Sequence, residues 1–347
     1  MLKNTMYKLK TEKKLNIGYF GGSVTFGACA SDRDTTSWRA LTTAFLKEQF
    51  PDADIVERNA AISGTGTGFA LFRMDNDLLK YNPDLVFIEF TLNDVYQLYS
   101  IEESLWFYES VIRRIYEHNK NVEIIMPFIT DRNIVGDSYE MKEAHKKLAA
   151  HYGIPTFDFG VALAEELKKT GNDIAMYLAD WVHPADAGYK VYADAICKFL
   201  SEGFCESNTL TEKVLPEPIS KDLKLGNVQT RIPGEDKSII LKGYTEDKSA
   251  WGGTLCPNWS KNAGDECSFE FNGTYLGAWI ETRPKGEAPE NLVAEIDGVV
   301  YGPFYCIKSD CSLIHITMAR DLPDGKHQVK IINKDGGKYR LVKIFTA

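Results

Sequence analysis

The chain has 347 residues, of which 44% are hydrophobic and 26% are charged, and its formal net charge is −9 at pH 7. This length favours two domains, and the apolar fraction is ordinary for a globular protein with packed cores. The acidic excess disfavours nucleic acid and an anionic membrane as main partners, because both present negative phosphates. Solubility alone also accounts for such a charge.

The amino-terminal segment, MLKNTMYKLKTEKKLNIGYFGGS, contains five lysines but no apolar run of the kind that a secretory signal carries. No stretch of the chain approaches the roughly 20 consecutive apolar residues that a membrane-spanning helix requires. We therefore predict a cytoplasmic protein that has no membrane partner.

Short apolar runs alternate with helix-length segments over residues 1–205. The predicted strands are residues 15–20, 55–59, 85–91, 122–128 and 155–159. The predicted helices are residues 38–49, 69–79, 101–118, 139–152, 161–169 and 187–200. Runs such as LVFIEF are apolar at consecutive positions, which is typical of strands covered on both faces. The alternation predicts an α/β domain with a three-layer, doubly wound parallel sheet.

The pattern changes after this region. Residues 206–237 are polar and contain Pro216, Pro218 and Pro233, which predicts a connecting segment. Residues 238–347 contain predicted strands at 238–241, 267–271, 275–281, 292–296, 313–318, 328–333 and 339–345. Turn signals separate several of them, namely Asn272-Gly273, Asp297-Gly298 and Asp324-Gly325. We predict an all-β sandwich or jelly-roll domain.

A serine follows the first predicted strand, in the sequence Gly21-Gly22-Ser23. Sites of open parallel sheets form beyond the carboxyl ends of the strands, and flanking glycines allow the sharp turn that exposes a serine hydroxyl. By itself this serine equally fits a helix N-cap or a phosphate-binding loop. The absence of GxGxxG and of a Walker lysine disfavours the nucleotide interpretation.

The second and third predicted strands are followed by NAAISGTGT and LND. Each segment taken alone is compatible with a plain turn between a strand and a helix. An oxyanion hole needs fixed hydrogen-bond donors aimed at the developing negative charge. The backbone N–H of Gly64 and the side-chain amide of Asn93 are candidates for this role.

Asp180 precedes His183 by three residues in the segment DWVHP. A carboxylate at this spacing can accept a hydrogen bond from the imidazole Nδ1–H, which leaves Nε2 to accept the serine proton. The remaining histidines fall on predicted helices or in the β region, where surface or core roles are commoner: His118, His145, His151, His315 and His327.

Other chemically capable residues have plainer explanations. Glu89 lies within a strand and Asp94 beside a turn, so a capping or buried hydrogen-bonded role is expected. The tryptophans of the β region fit either sugar stacking or a buried core; they are Trp251, Trp259 and Trp279. No His, Cys, Asp or Glu cluster has metal-ligand spacing, so we predict no metal and no cofactor.

Together, FGGSVTFG, NAAISGTGT, LND and DWVHP resemble the four ordered blocks of the SGNH (GDSL) hydrolase superfamily. The resemblance implies a flavodoxin-like hydrolase fold with Ser23 as nucleophile, His183 as general base and Asp180 as its partner. It further implies an oxyanion hole formed by the N–H groups of Ser23 and Gly64 and by the Asn93 amide.

Gly22 departs from the common GDSL pattern, which has an aspartate there, although that position has no catalytic role. The GGSVT version is similar to carbohydrate-esterase branches, and NLVAEIDGVVYGPF and LPDGKHQVKI resemble a jelly-roll domain found beside sugar-deacetylating members. We expect a serine esterase that removes short acyl groups, chiefly acetyl, from oligosaccharide esters. Gly22 and Trp181 are candidate substrate-binding residues.

Two other functions remain open. The same scaffold could hydrolyse lipid or acyl-thioester substrates, which would require an apolar channel for a long acyl chain. Alternatively, the protein could be a catalytically inactive sugar-binding protein.

Overall fold

The computed structural model describes residues 2–220, 228–246, 250–251, 254–255, 258–281, 286–304, 306 and 313–347. Backbone contacts divide the chain into two compact units, Met1–Lys221 and Asp222–Ala347.

The first unit contains nine α-helices and five strands within these described residues. The helices are α1 Lys3–Tyr7, α2 Ser23–Phe26, α3 Trp38–Gln49, α4 Thr67–Asp77, α5 Thr91–Tyr96, α6 Ile101–His118, α7 Glu140–His151, α8 Phe159–Thr170 and α9 Asp186–Gly203. The strands are β1 Lys14–Gly21, β2 Asp54–Asn59, β3 Leu85–Glu89, β4 Glu123–Phe128 and β5 Thr156–Asp158. A π-helical turn at Lys8–Glu12 and 3₁₀ turns at Leu79–Tyr81 and Ile174–Met176 complete it.

The five strands form one sheet in the order β2-β1-β3-β4-β5, and every neighbouring pair is parallel. Helices α3, α8 and α9 pack together on the sheet, while α4, α6 and α7 form a second packed group. The order confirms the predicted doubly wound, flavodoxin-like fold. Because the strand order reverses between β1 and β3, a crevice is expected at the carboxyl ends of those two strands.

Side-chain caps explain several element boundaries. Ser100 accepts a hydrogen bond from the Glu103 N–H and begins α6 at the predicted residue. The Asp158 carboxylate accepts hydrogen bonds from the N–H groups of Gly160 and Val161. Helix α8 therefore begins at Phe159, which was predicted to be the last residue of a strand. Similarly, β3 ends at Glu89 because the chain turns directly into α5, a helix that the sequence analysis missed.

Part of the predicted connecting segment is packed onto the first unit. The N–H groups of Ile219 and Ser220 donate to the Glu109 carboxylate at 2.7 and 2.6 Å. The Lys213 N–H donates to the Lys120 carbonyl at 2.7 Å. These bonds hold the segment against α6 and the turn between α6 and β4. The expectation of a segment that only connects the domains therefore does not describe residues 206–220.

The second unit contains strands and no helix among its described residues. The strands are β6 Gln229–Arg231, β7 Ile240–Lys242, β8 Thr245–Glu246, β9 Ala250–Trp251, β10 Thr254–Leu255, β11 Asn258–Ser260, β12 Glu266–Gly273, β13 Leu276–Glu281, β14 Leu292–Ile296, β15 Val299–Phe304, β16 Leu313–Ala319, β17 Gly325–Asn333 and β18 Tyr339–Thr346. Strand β6 lies within the segment that was predicted to connect the domains.

Two large antiparallel sheets lie in this unit, ordered β16-β13-β18-β11-β8, with β6 also on β18, and β15-β14-β17-β12-β7, and strands β9 and β10 pair as a separate two-stranded sheet. Buried apolar side chains of both sheets form one cluster, which includes Phe269, Ala278 and Ile331. Asp297 and Gly298 both have positive φ and join the paired residues of β14 and β15, which confirms that predicted turn. Asn272-Gly273 lies inside β12 instead, so that turn prediction was wrong.

No helix in the described part of the chain combines the length and the apolar character needed to cross a membrane.

Candidate active site

Ser23 is the first residue of α2 and follows β1 directly. The Gly22 N–H donates to the Glu89 carbonyl at 3.2 Å, which joins the loop to the end of β3. The first N–H groups of a helix have no partner within that helix. Accordingly, no described residue accepts a hydrogen bond from the Ser23 N–H. The turn therefore presents both the hydroxyl and the N–H of Ser23 at the carboxyl edge of the sheet.

Three side chains from distant parts of the sequence form a continuous hydrogen-bonded chain. The Nε2 atom of His183 lies 2.7 Å from Ser23 Oγ, and its Nδ1 atom lies 2.7 Å from Asp180 Oδ2. An ionised carboxylate only accepts, so Nδ1 carries the proton and Nε2 presents a lone pair to the serine. This is the arrangement in which an imidazole takes a proton from a serine hydroxyl.

The Asp180 carboxylate is held by several donors. Burial alone would raise its pKa, but hydrogen bonds from the His183 ring and from the N–H groups of His183 and Val182 outweigh burial and lower the pKa. The two N–H bonds are 2.8 and 2.9 Å long and both end on Oδ1. Asp180 therefore stays ionised near neutral pH, and Oδ2 remains available to His183.

The loop that carries these two residues is braced from both sides. The Ala179 N–H donates to the His183 carbonyl at 2.8 Å, which closes the loop on itself. Arg132 binds the loop twice, through its N–H to the Trp181 carbonyl at 3.0 Å and through Nη2 to the Leu178 carbonyl at 2.8 Å. Rigid support of this kind keeps a catalytic geometry within its narrow tolerance.

Asn93, on α5, packs against the loop before Ser23. A Cβ atom placed on Gly22 would lie 2.2 Å from Asn93 Oδ1. No described residue hydrogen-bonds the Asn93 Nδ2 group, although the side chain is largely buried. The Asn93 amide is therefore adjacent to the Ser23 turn and has donors to offer. Gly22 itself was predicted to bind substrate, but its N–H is occupied by Glu89.

Gly64 lies in the loop after β2, at the same edge of the sheet. The Ile62 N–H donates to the Gly21 carbonyl at 3.1 Å, and Gln97 Nε2 donates to the Gly64 carbonyl at 2.8 Å. Gly64 has φ +73°, a conformation that favours glycine. Its N–H has no hydrogen-bond partner among the described residues.

A buried polar network lies behind Asn93. Asp94 accepts from the N–H and hydroxyl of Thr67 at 2.8 and 2.6 Å and from the Ser104 hydroxyl at 2.5 Å. His145 bridges Ser104 and Thr91 with contacts of 2.9 Å each. Burial raises the pKa of Asp94 to about 7, against the opposing hydrogen bonds, and lowers the pKa of His145 to about 3. The network agrees with the capping or buried hydrogen-bonded role expected for Asp94.

Glu89 is the second buried carboxyl group of the site. Its Oε2 accepts from the Thr25 hydroxyl at 2.8 Å, directly beneath the turn of α2. Burial raises the pKa of Glu89 to about 8, although hydrogen bonds from Thr25 and Gly22 oppose the shift. Its Oε1 has no hydrogen-bond partner among the described residues. Glu89 thus has the buried hydrogen-bonded role expected for it.

Trp181 adjoins His183 in the chain and has 52% of its surface exposed. Its side chain hydrogen-bonds the Tyr96 hydroxyl, which in turn donates to Asp131 Oδ2 at 2.7 Å. The indole is therefore oriented through its nitrogen while a large part of its surface faces solvent.

The tryptophans of the second unit are less exposed to solvent than Trp181, and therefore less able to stack on a sugar. Trp259 and Trp279 are 7% and 5% exposed, which favours the core interpretation over sugar stacking. The side chain of Trp251 lies outside the described residues.

Sequence reasoning missed Cys29, which is exposed and lies near the His183 loop. Its Sγ atom is 4.0 Å from Asp180 Oδ2. The only available signal was its place six residues after Ser23, in the same strand-end loop. The prediction of no metal depended on residue spacing along the sequence and did not foresee this proximity.

Comparisons with known proteins agree with this geometry. Residues 19–191 match the GDSL-like lipase/acylhydrolase family. Comparison with curated proteins gave no match.

Several solved structures are similar. A two-domain esterase (CEX) active on acetylated mannans aligns with 100% of this chain and 95% of its own, with 23% identity and a TM-score of 0.81. The same kind of esterase co-crystallised with mannopentaose aligns with 99% of this chain and 95% of its own, with 23% identity and a TM-score of 0.77. An acetylxylan esterase from Geobacillus stearothermophilus, Axe2, aligns with 56% of this chain and 97% of its own, with 23% identity and a TM-score of 0.46.

The two-domain likeness extends over both units and supports the fold described above. The family match spans the loops that carry Ser23, Gly64, Asn93, Asp180 and His183. Residues 19–191 therefore form a domain of the GDSL-like lipase/acylhydrolase family, and the protein is a carboxylic ester hydrolase.

Proposed function

We propose that this enzyme removes short acyl groups, chiefly acetyl, from oligosaccharide esters by way of an acyl-enzyme on Ser23. The observation that carries the proposal is the hydrogen-bonded chain from Ser23 through His183 to Asp180, with both links at 2.7 Å. A serine is a weak nucleophile until a positioned base removes its proton.

In the first half of the reaction, Ser23 Oγ attacks the ester carbonyl carbon while His183 Nε2 accepts the hydroxyl proton. The carbonyl oxygen becomes an oxyanion, which the N–H groups of Ser23 and Gly64 and the Asn93 Nδ2 group stabilise. The tetrahedral intermediate then expels the sugar oxygen, which takes the proton from His183. The acyl group remains on Ser23.

In the second half, a water molecule attacks the acyl carbonyl and gives its proton to His183 Nε2. The same donors bind the second oxyanion. Collapse of this intermediate breaks the bond to Ser23 Oγ, which recovers its proton from His183, and a carboxylic acid is released. Asp180 stays ionised throughout and stabilises the imidazolium that forms twice.

Two observations support a carbohydrate as the substrate. A two-domain esterase that is similar over the full chain is active on acetylated mannans. In addition, Trp181 exposes about half of its surface beside His183 while Tyr96 orients its indole. An exposed aromatic face suits the apolar C–H surface of a pyranose ring, and a fixed indole has little conformational entropy left to lose on binding.

Helix α4 carries bulky apolar side chains near its start. Such side chains could either close an acyl pocket or pack in the core. Phe69, Leu71 and Met74 are 2% exposed or less, which agrees with core packing.

The deciding experiment measures acetate release from acetylated manno- and xylo-oligosaccharides, with mass detection of the deacetylated products. Ser23→Ala protein serves as the control for background hydrolysis. We expect removal of acetyl groups by the unaltered enzyme only. Failure to deacetylate any oligosaccharide, together with good activity on simple aryl acetates, would contradict the carbohydrate substrate. It would leave the esterase mechanism intact.

A second measurement distinguishes the proposed short-acyl esterase from a lipid or thioester hydrolase. The comparison is kcat/KM for acetate, butyrate and octanoate esters of one alcohol. A channel that buried the chain would add about 0.8 kcal/mol per methylene and make octanoate the best substrate. We expect acetate to be the best, and a tenfold preference for octanoate, about 1.4 kcal/mol, would favour the lipid alternative.

A further inference from the structure

Three residues beside the Ser23 hydroxyl combine sulfur, nitrogen and oxygen ligands. One ligand atom each of Cys29, Asp180 and His183 lies within 4.8 Å of the other two. Cys29 follows α2, is exposed, and places its Sγ atom 4.0 Å from Asp180 Oδ2. Asp180 is also about half exposed, so the cluster is open to ions from solution.

We propose that Cys29, Asp180 and His183 bind a thiophilic divalent cation such as Zn²⁺, and that its binding inhibits the esterase. Zinc takes cysteine sulfur at about 2.3 Å and carboxylate oxygen or imidazole nitrogen at about 2.0–2.2 Å, usually with four ligands in all. A shift of roughly half an ångström brings the sulfur and oxygen to tetrahedral spacing. A water molecule would be the fourth ligand.

The inhibition follows from the chemistry of imidazole and rests on the proposed function of His183. Without metal, Nδ1 carries the proton and donates to Asp180, so the lone pair on Nε2 faces Ser23. A cation on Nδ1 uses the lone pair of that nitrogen, and the neutral ring must then carry its proton on Nε2. In this tautomer Nε2 can only donate, so His183 cannot accept the proton of Ser23.

The proton balance of binding is simple. The Cys29 thiol loses its proton to solvent and binds the cation as a thiolate. The His183 ring loses one proton from Nδ1 and gains one on Nε2, so its charge is unchanged. One proton is released in total, and no oxidant or reductant takes part.

The surroundings of Cys29 favour metal binding over oxidation. Burial and the negative charge of Asp180 both raise the pKa of the Cys29 thiol. Oxidation and disulfide exchange need a thiolate. A divalent cation supplies the positive charge that stabilises the Cys29 thiolate. The Asp180 carboxylate, which disfavours the thiolate when no cation is bound, also attracts the cation.

The test is a titration of the full-length protein with Co²⁺, a spectroscopic substitute for Zn²⁺. Unaltered protein should give a thiolate-to-cobalt charge-transfer band that saturates at one equivalent. Cys29→Ser should abolish the band, whereas Cys197→Ser, which alters a partly buried cysteine on α9, should retain it. This readout does not require the protein to be an esterase.

Inhibition is measured in parallel with Zn²⁺ on hydrolysis of an aryl acetate, with each variant compared with its own metal-free rate. Cys29→Ser should raise the Zn²⁺ concentration for half inhibition by at least about tenfold, and a chelator should restore the rate of unaltered protein. Equal sensitivity of the Cys29→Ser and Cys197→Ser variants, or a cobalt band that survives Cys29→Ser, would overturn the proposal. Absence of ester hydrolysis in every variant would contradict the proposed function instead, and the cobalt band would still test the site.

Discussion

Gly22 and Asn93 approach each other so closely that no side chain fits between them. A Cβ atom on residue 22 would lie 2.2 Å from Asn93 Oδ1 and 2.8 Å from its Cγ, far inside van der Waals contact. The glycine that departs from the common GDSL pattern is thus required by the position of the Asn93 amide. Any larger residue at position 22 must displace that amide or the Ser23 turn.

The first prediction follows from this contact. Gly22→Ala should lower kcat by roughly 10–10³-fold, because it displaces a donor that acts chiefly in the transition state, and should change KM little. Steady-state kinetics on an aryl acetate measures both constants. Gly171→Ala is the control: its Cβ would meet no atom within 4 Å, although φ is +68°. This control should cost about 1 kcal/mol of stability with no effect on kcat. Wild-type kinetics in Gly22→Ala would show that the contact is unimportant.

The second prediction concerns Ser23. Ser23→Ala should reduce kcat by about 10⁶-fold, since the rest of a triad works as one unit with its nucleophile. A fluorophosphonate should add one adduct to the unaltered protein and none to the variant, as judged by intact mass. Labelling of the Ser23→Ala protein at another serine, with activity retained, would identify a different nucleophile.

The third prediction separates the two possible roles of Asn93. Asn93→Ala should lower kcat by roughly 10²–10³-fold with KM nearly constant, as expected for removal of one oxyanion donor. Asn93→Asp, which keeps the shape but replaces the donor with an acceptor, should be at least as damaging. An effect on KM alone would instead place the amide in ground-state substrate binding.

The fourth prediction concerns the pH dependence of stability through Glu89. The folded pKa of Glu89 is about 8, above the value of about 4.3 for an unfolded glutamate. At a pH between these two pKa values, Glu89 is therefore protonated in the folded state and ionised in the unfolded state. The contribution of this group is fully present below about pH 4 and is lost as the pH rises to 8.

Urea unfolding at pH 5, 7 and 9 gives the free energy of unfolding of the unaltered protein and of Glu89→Gln. The difference between the two at each pH measures the effect of Glu89. The slope attributable to Glu89 should be at most about 1.4 kcal/mol per pH unit and should vanish in the variant. Glu48→Gln, at an exposed position, is the control. Parallel pH profiles for the unaltered protein and Glu89→Gln would mean that Glu89 titrates alike in both states.

Several features of this protein were readable from the sequence alone because they depend on neighbouring residues. Alternating apolar runs and helical segments indicated the parallel sheet. The three-residue spacing of Asp180 and His183 indicated their contact, since both lie in one loop. The pair Asp297-Gly298 indicated a hairpin, because both residues tolerate the positive φ that the turn requires.

The tertiary structure decided the contacts between distant segments. Cys29 contacts Asp180 although 151 residues separate them in the sequence. The contact forms because the segment after α2 and the loop before α9 lie side by side in the folded unit. The raised pKa of Glu89 depends on complete burial beneath α2, which no pattern within LVFIEF reveals. Trp259 and Trp279 were compatible with a binding face or, more commonly, a core, and only the packing around them decided between the two. Spacing along the chain determines local geometry, but burial and long-range proximity arise only when the layers pack.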